Sequence, residues 1–122
     1  MPVMADARRN ARLRPEDEKQ FSACWNEGRF FEAHETLEPR WIATRDRGLR
    51  GLIQLAAALH HLSKANLKGA RITLERAIVR LLDPDNAPCG FDEKALADFA
   101  SGLLQRLDTT SPEALIASRP RL

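Results

Sequence analysis

The chain has no tyrosine, only two cysteines and few aromatic residues of any kind among its 122 residues. Valine is scarce, and no segment alternates apolar with polar side chains, so the sequence offers nothing that reads as a half-buried strand. The longest strongly apolar run, Gly51 to Leu59, is far too short to cross a bilayer. Met1 to Asn10 lacks the hydrophobic block of a secretory signal. Cys24 and Cys89 stand far apart and form no Cys-x-x-Cys pair, which suits a reducing compartment and a cytoplasmic protein. No glycine-rich phosphate loop, no Gly-x-Ser-x-Gly elbow and no Ser/His/Asp arrangement is present. A net charge of +2 is too small to argue for nucleic acid. The arginines crowd the ends (Arg8, Arg9, Arg12 and Arg14; Arg119 and Arg121), but no aromatic residues interleave with them to stack bases.

What remains is helical grammar at a length that allows one domain with a real core. A first helix is predicted from Pro15, with Glu16, Asp17 and Glu18 at the positive end of its dipole and Gly28 as its cap. A second runs from about Arg29 to Arg45, and Pro39 inside it should bend it. The third, about Gly48 to Lys64, is apolar nearly all round apart from Gln54, the profile of a helix at the centre of a bundle. The fourth spans about Gly69 to Leu82. Asp92 caps a fifth, with Phe91 and Leu96 spaced as a hydrophobic staple. The expected fold is therefore all-α: a single bundle of about five mostly antiparallel helices with the third helix central. A flexible basic arm is expected over residues 1–14, the bundle over 15–110, and a C-terminal tail over 111–122, where Ser111-Pro112-Glu113 can start a short helical turn.

One stretch concentrates chemistry: Gly28-Arg29-Phe30-Phe31-Glu32-Ala33-His34-Glu35-Thr36-Leu37-Glu38-Pro39-Arg40-Trp41. Helical spacing puts His34 and Glu38 on one face. Gln54 and His61, almost two turns apart, share a face of the third helix, with His60 rotated away. If the two helices pack antiparallel, His34, Glu38 and His61 make a ligand set suited to zinc or ferrous iron, and Glu35 can act as general base on a metal-bound water. Gln54 and Arg50 would then orient a substrate. The zinc-protease motif needs histidine where Glu38 stands, so this His-Glu-x-x-Glu helix is not that motif. The same residues also fit a closed hydrogen-bond network that fixes helix register. Phe30, Phe31 and Trp41, at helical spacing, read as core.

The stretch Phe30 to Trp41, followed by Gly51-Leu52-Ile53-Gln54-Leu55-Ala56-Ala57-Ala58 and His61, closely resembles the prokaryotic family called domain of unknown function 309. The resemblance covers about Phe21 to Leu82. It implies a small, all-helical, cytoplasmic protein, in a family labelled metal-dependent hydrolase on motif grounds. His34, Glu35, Glu38, Gln54 and His61 are the residues onto which that label would fall; Pro39 departs from the pattern and puts the pointing of Glu38 in question. Two readings stand: a metal-dependent hydrolase acting on a small-molecule substrate, or a non-catalytic helical module, alone or as a homodimer, that binds a protein partner. Nucleic acid and membrane are not expected partners.

Overall fold

The computed structural model describes residues 13–87 and 89–122. Most of the expected basic arm lies outside them. Its last two residues are described: Leu13 packs into the core, and Arg14 bonds Asp17 through Nε at 3.1 Å.

Six helices and no strand occur among the described residues: α1 (Pro15–Asn26), α2 (Phe30–Thr44), α3 (Arg47–Ser63), α4 (Leu67–Leu81), α5 (Glu93–Arg106) and α6 (Pro112–Ala117). Their starts follow side-chain chemistry. Pro15 opens α1, where its missing N–H costs nothing. Asp46, Asn66, Asp92 and Ser111 each accept a bond from a first-turn backbone N–H of α3, α4, α5 and α6, satisfying donors that a helix leaves unpaired. Asn66 explains why α4 begins two residues ahead of the Gly69 that sequence spacing suggests. Gly28 sits at φ +78°, the left-handed turn expected between α1 and α2. Pro39 does not break α2, which stays helical to Thr44.

Packing matches the expected bundle, with α3 at its centre against α2, α4 and α6; α1 lies on α2, and α5 on α4. Leu49, Leu52, Leu55, Leu59 and Leu62 of α3 are fully buried, each contributing about 1.5–3 kcal/mol of transfer free energy. The two-residue link Arg45-Asp46 forces α2 and α3 to run antiparallel. At Gly51 the backbones of α3 and α4 come close: a methyl there would sit 2.9 Å from Leu81 Cγ and 3.1 Å from the Leu81 backbone nitrogen.

Residues 111–122, expected as a tail, are fastened to the bundle. Leu115 of α6 is fully buried. Beyond it the chain returns to the end of α1, where Trp25 Nε1 donates to the Pro120 carbonyl at 2.8 Å. Arg119 donates to the Trp25 and Asn26 carbonyls at 3.1 and 2.9 Å, and the Leu122 N–H to Asn26 Oδ1 at 2.9 Å. A buried indole needs an acceptor, and the last residues supply it. Among the described residues, no helix is long and apolar enough to cross a membrane.

Candidate functional site

The motif residues lie on α2 and α3, and the fold brings some of them together. His34 and Glu38 form the expected pair one turn apart, with Nε2 and Oε1 2.9 Å from each other. In the neutral tautomer that donates from Nε2, the Nδ1 lone pair is the acceptor. That atom is buried and has no hydrogen-bond partner among the described residues. The His34 ring stacks on Phe31, centroids 5.7 Å apart, and Phe31 in turn meets His60 at 5.4 Å. His60, which helical geometry turned away from the motif face, is thus the α3 histidine nearest this ring cluster. Burial, and then the charges of Lys64, His61 and His34, lower its pKa below the ordinary histidine value.

Phe31 is not core, as its spacing suggested. It is 53 % exposed, because the buried stripe of α2 is Phe30, Ala33 and Leu37. Trp41 is only half-buried, and the guanidinium carbons of Arg45 and Arg50 lie over its ring at 4.6 and 4.5 Å. Arg50 therefore makes cation–π contact. No carboxylate pairs with it among the described residues.

Other motif groups are engaged elsewhere. His61, at the end of α3, places Nδ1 3.2 Å from Asn66 Nδ2, inside the α3–α4 turn. The Asn66 N–H also donates to the His61 carbonyl at 2.8 Å. Gly69 makes room for this pairing, since a methyl there would fall 2.8 Å from His61 Nδ1. Gln54 is 7 % exposed, and its Oε1 accepts from Arg80 of α4 at 3.1 Å. Glu35 points away from His34: it is exposed and lines hollows on the α1 side of α2, beside Gln20 and Thr36.

A catalytic zinc site usually takes three protein ligands. Among the described residues, no three His, Cys, Asp or Glu side chains group so as to hold a metal ion. His34 and Glu38 supply two donors, and His61 is held in its turn with Asn66. A hollow of about 850 Å³ lies away from the motif, between the start of α1, the segment Gly90–Asp92 and Arg121–Leu122. The chemistry, not the volume, defines the candidate site. Cys24 is buried, and burial pushes its thiol above the usual range, away from a reactive thiolate.

Sequence reading missed Arg76 and Arg80. They stand one turn apart on α4, and the signal was that spacing beside an inward-facing glutamine on the preceding helix.

Comparison with known proteins rests on the same segment. The family described as Domain of unknown function (DUF309) matches residues 19–73. An uncharacterized protein of Aquifex aeolicus (strain VF5) is 33 % identical over 95 residues, covering 75 % of this chain and 28 % of that protein. The uncharacterized protein YpuF of Bacillus subtilis (strain 168) is 32 % identical over 89 residues, covering 67 % of this chain and 51 % of YpuF. The chain thus spans from about a quarter to about half the length of these relatives. No solved structure gives a significant match. The DUF309 match, residues 19–73, holds the whole His-Glu-x-x-Glu helix and the central helix with Gln54 and His61.

Proposed function

We propose that the domain is a non-catalytic helical interaction module. In this reading the His/Glu/Gln groups hold helices in register, and the face shared by α2, α3 and α4 binds a partner. The observation that carries it is the pairing of the motif groups with separate partners: His34 with Glu38, His61 with Asn66, Gln54 with Arg80. Metal-assisted hydrolysis would need these groups to converge on one point with Glu35 aimed at it, and Glu35 lines the opposite side of α2. Exposed apolar side chains on these helices support binding, because Phe31 and Ile42 of α2 and Val79 of α4 are each more than half exposed. Exposed apolar side chains rimmed by charge mark interaction surfaces.

The test is elemental analysis of the full chain purified without chelator, alongside thermal unfolding of His34→Ala. The expected result is no stoichiometric zinc, iron or manganese, and a lowered melting temperature for His34→Ala that added zinc does not change. One metal ion per chain, lost in His34→Ala, refutes the module and restores the hydrolase.

A further inference from the structure

The seam between α3 and α4 gathers cations without matching anions. Arg50, Arg76 and Arg80 lie close enough that the charges of Arg50, Arg47 and Arg76, after burial itself, push the Arg80 guanidinium below its ordinary range. Arg47 is answered by Asp83 of the following loop, at 3.2 Å. No carboxylate pairs with Arg50, Arg76 or Arg80 among the described residues. Like charges held together cost free energy unless something offsets them.

Gln54 adds a second, independent sign. An arginine only donates, so the amide oxygen of Gln54 must be the atom facing Arg80, and its NH2 group is left as the free end. That NH2 makes no hydrogen bond among the described residues, and it opens to solvent at the tip of an otherwise enclosed side chain. An amide with accessible donors, beside guanidinium groups that are also pure donors, is complementary to an oxyanion. From these groups we infer that the α3–α4 seam, built from Gln54, Arg50, Arg76 and Arg80, receives the carboxylates of an acidic, apolar-interspersed segment of a partner protein.

Carboxylates suit the site because guanidinium and amide groups present planar, paired donors. The surroundings favour a protein segment over nucleic acid. Ile72 and Val79 share the exposed face of α4 with Arg76, and Leu82 follows at the helix end. Apolar side chains of that kind have no complement in a phosphodiester backbone, but pack well against leucines set between glutamates. This inference rests on the interaction-module reading and names the chemistry of what is bound.

The experiment measures fluorescence anisotropy of a labelled Glu/Leu peptide with the full chain, and of a labelled DNA duplex in parallel. Three variants are compared. Arg76→Glu changes an exposed side chain, Gln54→Glu keeps the partner of Arg80 while removing the free donors, and Lys94→Glu makes the Arg76 charge change on α5, outside the α3–α4 seam. Circular dichroism confirms that each is folded. The expected result is peptide binding weakened at least about tenfold by Arg76→Glu and Gln54→Glu, and less than about twofold by Lys94→Glu. Three outcomes overturn the proposal: no peptide binding, equal loss in all three variants, or duplex bound more tightly than peptide and lost with Arg76→Glu. Peptide silence in a metal-free chain defeats this inference alone, whereas metal uptake through His34 defeats the module reading and leaves the peptide measurement standing.

Discussion

Alanine at two glycines should move stability in opposite directions. In an exposed helix interior, Gly→Ala stabilises by about 0.5–1 kcal/mol, because glycine gives up more backbone freedom on folding. Gly102 of α5 has nothing within 4 Å of where a methyl would sit, so it should show the full gain. Gly51 has the same helical advantage but meets Leu81 at 2.9 Å on the side chain and 3.1 Å on the backbone nitrogen. The Leu81 side chain can turn aside, but its backbone nitrogen cannot yield without shifting α4. Overpacking of this kind costs about 1–3 kcal/mol. A backbone contact at 3.1 Å selects the upper part of that range, about 2–3 kcal/mol, so subtracting the propensity gain leaves Gly51→Ala destabilised by about 1–2.5 kcal/mol. At this chain length, 1 kcal/mol moves the midpoint by roughly 3–6 °C. Gly51→Ala should therefore melt about 3–15 °C below wild type, and Gly102→Ala a few degrees above it. Thermal unfolding by circular dichroism, with urea titration as a check, reads both. If Gly51→Ala melts at or above wild type, α3 and α4 do not approach as described.

Further expectations concern the bundle's edges. Trp25→Phe removes the bond to the Pro120 carbonyl and leaves a void, at a cost of about 1–3 kcal/mol; limited proteolysis should then cut beyond Ser118 sooner than in wild type. Leu115→Ala should cost about 2–5 kcal/mol in urea unfolding, since the side chain is wholly enclosed. The lowered pKa of His60 means that the unfolded chain takes up its proton first on acidification. Stability from this group is complete above the unfolded value near about 6.5 and falls as pH drops from there through the folded value. His60→Gln should flatten the dependence of the urea midpoint over that window. An unchanged slope would mean that His60 is not responsible.

Much of the helix grammar was legible because it is local. Pro15, Gly28 and Asp92 act within one or two turns, and each stands where spacing put it. The central place of α3 also followed from its own composition, as did the His34–Glu38 pair from its spacing. The choice between adjacent residues was not legible. Phe30 and Phe31 are both aromatic, and only the crossing of α2 over α1 and α3 decides that the first is buried and the second exposed. Glu35 fell on the far side of α2 for the same reason. The partner of Gln54 is Arg80 on α4, and nothing within α3 names it. The docking of residues 111–122 depends on the Trp25 indole and the end of α1, some 95 residues earlier, which no local pattern can reveal.

That long reach has a consequence for synthesis on the ribosome. Helix ends leave carbonyls without internal partners, and those of Trp25 and Asn26 receive the Arg119 guanidinium. While the nascent chain emerges, the Asn26 carbonyl therefore stays open to water until Arg119 has been translated. The latch can close only after that point, and a polypeptide stalled short of Arg119 would offer proteases an unlatched end.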